Sequence, residues 1–173
     1  MLSLSDNEFS VISFLVRNFT ERLTIRNIAQ RLDFSPAGVF NILKKLEKQN
    51  IVTGQKFGTG LFYSINFGNT IAGHLAAIVL AYSDEKYDKL DLEQLKQAKA
   101  VIFDKKNLLI VADNVSISEI NVPNTNIITK TEEELMESFR KKDSDAMLIL
   151  KKGVVLRGEE LIVNAIKNSM TRF

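Results

Sequence analysis

One asparagine and a group of basic side chains, spaced to share one side of a helix, are the residues whose chemistry points most directly at a partner. Asn41 carries an amide that donates and accepts at once, which matches the edge of adenine in a duplex major groove. Lys44, Lys45 and Lys48 follow it with ammonium groups suited to phosphate oxygens, contacts that position a protein without reading sequence. Ala37 and Phe40 offer apolar surface to a thymine methyl, and Ser35 and Pro36 begin the same segment. Arg26 stands at the start of an earlier helical pattern, where a guanidinium beside N-terminal amides suits a phosphate. Gln55, Lys56 and Thr59 lie in a glycine-rich stretch further on, placed for a backbone or minor-groove contact.

Three helices and a hairpin must position these side chains. Ser5 and Glu8 have the spacing of a capping box, and Phe9, Ile12, Phe14, Leu15, Val16 and Phe19 then form an apolar face. Thr24 caps a short second helix in which Ile25, Ile28, Ala29 and Leu32 point one way, and Asp33 to Pro36 breaks it. Ser35 caps the third helix with Pro36 at its first position, where a missing N–H costs nothing. Val39, Ile42, Leu43 and Leu46 form its buried side, and Asn50 is placed as a left-handed terminating residue. Ile51 to Thr53, a tip from Gly54 to Gly60, and the alternating Leu61 to Phe67 predict two paired strands. Helix, turn, helix and hairpin together make a winged helix, whose third helix fits a DNA major groove.

Composition narrows the functional classes. Apolar residues make up 45% of the 173, enough for a packed core. Without cysteine and with one histidine, His74, a single chain cannot build a zinc site, a disulfide scaffold or a cysteine–histidine dyad. His74 falls between Ile71 and Ile78 and reads as a packed or interface histidine. The first residues show no signal peptide, and the longest apolar run, Leu75 to Tyr82, is too short to span a bilayer. Eight bases stand against three acids between Val16 and Lys56, in a chain of net charge +2. A basic N-terminal region on a near-neutral body suits a polyanion.

The segment Ser35-Pro-Ala-Gly-Val-Phe-Asn-Ile-Leu-Lys-Lys-Leu-Glu-Lys-Gln-Asn-Ile-Val resembles the recognition helix of winged-helix transcriptional regulators of the multiple-antibiotic-resistance and archaeal types. The resemblance covers about residues 5–68. It identifies a superfamily that binds double-stranded DNA and not a target; the contact set read from the residues themselves is Arg26, Ser35, Pro36, Ala37, Phe40, Asn41, Lys44, Lys45, Lys48, Gln55, Lys56 and Thr59. The chain departs from the pattern at Gly38, where threonine is common, and at Asn50, where glycine is common.

Beyond residue 70 an apolar helix runs from Ile71 to Tyr82, followed by a polar tail, and Leu92 to Ala98 has the pattern of a short amphipathic helix. Short apolar runs then predict strands at Ala100 to Phe103, Leu108 to Ala112, Val115 to Val122 and Asn126 to Thr129. Helices are expected from Thr131, from Asp145 to Lys151 and from Gly158 to Met170, with a short extended piece at Val154 to Leu156. These elements are similar to a minimal nucleotidyltransferase domain of the kind that follows a winged helix in archaeal proteins. The likeness rests on Ala100 to Phe103, Leu108 to Ala112, Ile127 to Leu135 and Gly153-Val-Val-Leu-Arg-Gly158. Such a domain needs a Gly-Ser turn for phosphate and two carboxylates at i and i+2 for Mg²⁺, whereas Asp104-Lys-Lys-Asn107 follows Phe103 here. Asp143-Ser-Asp145 has the spacing but reads as a helix cap, and Asp104 and Asp113 end neighbouring strands that could bring them together, although two strand-end acids are more often simply solvated. Lys105 and Lys106 could attract a phosphate but could not organise a metal.

The expected fold class is α+β: an N-terminal winged helix-turn-helix over 1–68, a helical linker over 69–98, and a small α/β domain over 99–173 resembling a degenerate nucleotidyltransferase. The expected function is sequence-specific transcriptional regulation in the cytoplasm. The C-terminal domain is expected to act as a sensor or dimerisation module, with no catalytic residues, no metal and no cofactor. A homodimer, a protein partner or a small ligand remain open as further partners, and a membrane does not. The alternatives are a divergent nucleotidyltransferase and an antitoxin-like or protein-interaction adaptor.

Overall fold

Local chemistry written in the sequence sets the first three helices. The computed structural model describes residues 4–82, 95–113 and 122–170. Helix α1 spans Asp6–Arg17, and the Ser5 hydroxyl accepts the Glu8 N–H while the Glu8 carboxylate accepts the Ser5 N–H. Helix α2, Ile25–Leu32, repeats the device with Thr24 and Asn27. It ends on Asp33 in the left-handed region, φ 56°. Helix α3, Pro36–Lys48, starts on a Ser35 cap that accepts the Gly38 N–H at 3.0 Å, with Pro36 in its first turn. A Cβ on residue 38 would sit 3.0 Å from that cap oxygen, so glycine here lets Ser35 close over the helix end.

The chain divides into two compact units, Met1–Val79 and Leu80–Phe173. In the first, Val11, Ile12, Leu15 and Val16 of α1, Ile28 and Ala29 of α2, and Val39, Leu43 and Leu46 of α3 form a buried core. Strands β1 (Val52–Phe57) and β2 (Gly60–Ile65) pair antiparallel from Val52↔Ile65 to Phe57↔Gly60. The sequence predicts a hairpin tip over Gly54 to Gly60. The strands instead run into that stretch, and the turn is only Gly58 and Thr59, with Gly58 at φ 57°. Gly54 serves close packing: a Cβ there would lie 3.0 Å from Glu47 and 3.2 Å from the Tyr63 ring. Leu23 bridges to Tyr63 and adds a third extended segment beside β2. Helix α4 spans Thr70–Ala81.

In the second unit, β3 (Ala100–Phe103), β4 (Asn107–Val111), β5 (Asn126–Lys130) and β6 (Val154–Arg157) form a sheet of order β5-β4-β3-β6. Strand β3 is antiparallel to β4 and β6, and β4 is parallel to β5. Strand β3 is buried along its whole length, which explains its unbroken apolar sequence. Val101, Phe103, Leu108 and Ile110 share one face with Leu95 and Ala98, while helices α5 (Glu132–Lys141), α6 (Ser144–Lys152) and α7 (Glu159–Met170) complete the unit. Of the predicted helix at Leu92 to Ala98, residues 95–97 form a turn and the beginning lies outside the described residues. The predicted strand at Val115 to Val122 also lies outside them, save Val122. The winged helix followed by a mixed α/β unit is the α+β class that the sequence predicts.

Candidate nucleic-acid interface

Helix α3 divides its side chains cleanly. Val39, Leu43 and Leu46 are fully buried and Ile42, expected beside them, only partly so, which leaves Ala37, Phe40, Asn41, Lys44 and Lys48 on the outer side, all exposed. Phe40 is 47% exposed, and the Lys44 ammonium lies 5.9 Å from its ring centroid. Ser35 and Pro36 lie exposed at the helix start. Arg26 is exposed in the first turn of α2, and Gln55, Lys56 and Thr59 are exposed on the hairpin. Recognition-helix and hairpin side chains are therefore available to solvent as the sequence pattern requires.

Lys45 is the exception in environment. It lies at the margin of that face, and its ammonium is 2.6 Å from the carboxylate of Glu8, whose side chain is 6% exposed. Burial pushes the Glu8 carboxyl up, but the Lys45 and Ser5 hydrogen bonds outweigh it and hold the group below its usual range. Two further bases are also engaged within the unit. Arg31 reaches Glu21 at 2.5 Å and Asn18 at 2.8 Å, and stacks 4.7 Å from the Phe14 ring. Arg17 donates to Ser13 at 3.2 Å and to the Val79 carbonyl at 3.3 Å. The local positive excess is thus partly spent inside the fold, and Arg22, Arg26, Lys44, Lys48 and Lys56 carry the charge that a polyanion would meet.

Arg22, exposed like these bases, carries no signal in its local sequence of what it contacts. Its guanidinium lies 5.2 Å from the centroid of the Phe57 ring. No local pattern links the two; the Leu23–Tyr63 bridge brings them together.

In the second unit, β3 and β4 are antiparallel neighbours with Phe103↔Leu108 at the turn and Ala100↔Val111 at the far end. Asp104 therefore lies at the turn and Asp113 beyond the opposite end of the hairpin. The expectation that these two acids could approach each other is overturned by strand direction. Asp104 closes its own turn, with one carboxylate oxygen accepting N–H groups from Lys106 at 3.1 Å and Asn107 at 2.7 Å. Asp113 pairs with Lys99, which also reaches Glu132 at 2.7 Å. Hydrogen bonds to Asp113 and then Glu132 push the Lys99 ammonium up to about 12. Asp143 caps α6, accepting from Asp145 at 2.9 Å and Ala146 at 3.1 Å, as its spacing predicts. His74 is exposed on α4 rather than packed. Among the described residues, no helix is long and apolar enough to cross a membrane.

Comparison with known proteins agrees with this geometry in the first unit. No curated protein sequence matches the chain. Among solved structures, it is similar to CymR (YrzC), the global cysteine regulator of B. subtilis, at 14% identity over 54% of this chain and 79% of that one. The TM-score of 0.35 is too low for that likeness to carry an argument. Residues 2–58 match the MarR family, a span that runs from α1 through the first strand of the wing. The N-terminal unit accordingly contains a MarR-family winged-helix domain of transcriptional regulators.

Proposed function

We propose that this protein is a sequence-specific regulator that docks α3 into the major groove of double-stranded DNA. The observation that carries the reading is the split of α3. One side carries the buried Val39, Leu43 and Leu46 with the partly buried Ile42, and the other presents Ala37, Phe40, Asn41, Lys44 and Lys48 together. In the proposed complex Asn41 reads adenine, Ala37 and Phe40 meet apolar base surface, and Ser35 and Pro36 set the helix end against the groove. Lys44, Lys48, Lys56 and Arg26 neutralise phosphates, while Gln55 and Thr59 contact the duplex from the hairpin. Lys45 belongs at the edge of the contact, because Glu8 already holds its ammonium.

We read residues 69–98 as a linker and 99–173 as a non-catalytic relative of the minimal nucleotidyltransferase domain, serving as a sensor or dimerisation module. Two features support a non-catalytic role. The Asp104 carboxylate takes the turn amides that a phosphate-holding turn would offer to a nucleotide. Asp104 and Asp113 lie at opposite ends of a hairpin and so cannot share a metal. A second copy of the chain fits this reading, because α4 contains no Asp, Glu, Lys or Arg and exposes Ile71 and Ile78 at 52% and 54%. Two such helices can pair without burying a charge, which would give a two-fold-symmetric DNA site.

The decisive experiment is binding to random-sequence duplex DNA across a salt titration. Replacing Lys44, Lys48 and Lys56 by alanine should lower the log–log salt slope by about 0.9 for each phosphate that is no longer neutralised. Absence of binding at low salt, or a slope near zero, refutes the DNA reading. The mass of a single chain at micromolar concentration, with and without duplex, refutes the second copy.

A further inference from the structure

We propose that Phe57 at the wing tip is an apolar wedge that enters the minor groove, partly unstacks one base step and bends the duplex. The proposal rests on the DNA-binding reading above and adds a mode of contact to it. Four observations meet at this point. Phe57 is 50% exposed on the last residue of β1, and Leu61, on the other face of the hairpin, is 43% exposed. A two-residue turn at Gly58 and Thr59 makes the tip narrow, with nothing around Gly58 within 4 Å of where a Cβ would lie. Phe62, one step farther from the tip, backs the Phe57 ring at 6.1 Å in a tilted arrangement, and the Arg22 guanidinium lies over the ring, 5.2 Å from its centroid. Gly60 makes that backing fit, since a Cβ there would stand 2.8 Å from the Phe62 ring.

A half-exposed phenylalanine at a solvated tip leaves apolar surface in water that a partner could bury. Charge selects the partner. Arg22 against the ring and Lys56 next to it in sequence favour a polyanion over an apolar protein surface. Shape selects the groove. Two paired strands are about 4.8 Å apart between their backbone axes and wider once their atoms are counted, so they overfill a minor groove about 6 Å wide and only the side chains at the two-residue tip can enter. There the leading apolar group is a ring suited to slip between base pairs, as wedge residues of minor-groove binders do. Pyrimidine–purine steps, which unstack most easily, are the preferred place.

The test uses the full chain and an alternating A·T duplex carrying donor and acceptor dyes at its ends, at low salt. Energy transfer reports bending, and permanganate reactivity reports thymines that have lost a stacking neighbour. The wild-type protein should raise both signals. Phe57→Ala should lose both while keeping its salt slope and its thermal melt, and Phe57→Leu should keep them. Phe57→Lys should bind at least as tightly as wild type yet unstack nothing, which separates the wedge from charge. A bound duplex with no rise in either signal, or signals that survive in Phe57→Ala and Phe57→Lys, overturns the wedge and leaves DNA binding standing. Phe57-dependent capture of a protein partner, with duplex signals that are the same in wild type and Phe57→Ala, overturns it in favour of a protein surface. No binding of the duplex by the wild type overturns the wedge together with the reading beneath it.

Discussion

Replacing Lys45 by methionine tests how the fold divides its positive charge between stability and DNA. Methionine keeps the length and apolar stem of the side chain and removes only the ammonium. Glu8 would then be a carboxylate 5% exposed, with one oxygen still held by the Ser5 N–H at 2.9 Å and the other without its cation at 2.6 Å. Stripping one partner from a fully buried pair costs about 3–5 kcal/mol. Lys45 is 47% exposed, so water reaches its end of the pair and the expected loss falls to about 1–2 kcal/mol. The pH dependence follows from the direction of the Glu8 shift. A carboxyl held below its unfolded value, about 4.3, contributes stability above that pH and loses it as pH falls through the folded value. In Lys45→Met the lowering bond is gone and burial still pushes the group up. The gap between wild type and variant should therefore be full at neutral pH, begin to close as pH falls through the variant's raised folded value, and vanish below the wild type's lowered one. Urea denaturation across pH measures it, and in a Glu8→Gln background the Lys45 substitution should cost almost nothing. Equal stability at neutral pH, combined with a DNA salt slope shallower by about 0.9, would refute this account and place Lys45 on a phosphate.

Three further outcomes are expected. Asn41→Ala should cost roughly 1–3 kcal/mol at one base pair and leave nonspecific binding intact, so selection from a random DNA pool should lose the preference at that position alone. Gly158→Ala should destabilise the second unit by about 2–4 kcal/mol, because residue 158 has φ 73° and a Cβ would lie 2.2 Å from the Lys99 carbonyl; a melt unchanged from wild type would contradict this. Incubation with radiolabelled nucleoside triphosphates and Mg²⁺ should give no label transfer, and transfer abolished by Asp104→Asn or Asp113→Asn would establish an enzyme.

The sequence by itself determined the elements whose causes lie within a few residues of one another. Ser5 with Glu8, Thr24 with Asn27, and Ser35 with Pro36 start the three helices through local chemistry that spans no more than three positions. The spacing of Val39, Leu43 and Leu46 then decides which side of α3 remains free, so the candidate contact face was legible in the chain alone. The apolar run at Ala100 to Phe103 was legible as a buried strand for the same reason, since its side chains leave no polar face. Strand direction was not legible, because apolar runs carry no record of which neighbour they pair with. The idea that Asp104 and Asp113 could meet fails on that point, since antiparallel pairing of β3 and β4 separates them. Nor could the hairpin tip be located among Gly54, Gly58 and Gly60, since the first and last are needed for close packing and only Gly58 for the turn. The partners of Lys45, Arg22 and Lys99 come from distant segments, namely Glu8, Phe57, and Asp113 with Glu132. Such pairs exist only after helices and strands have packed, because an ammonium or guanidinium in its own sequence neighbourhood shows its charge but not what will neutralise it.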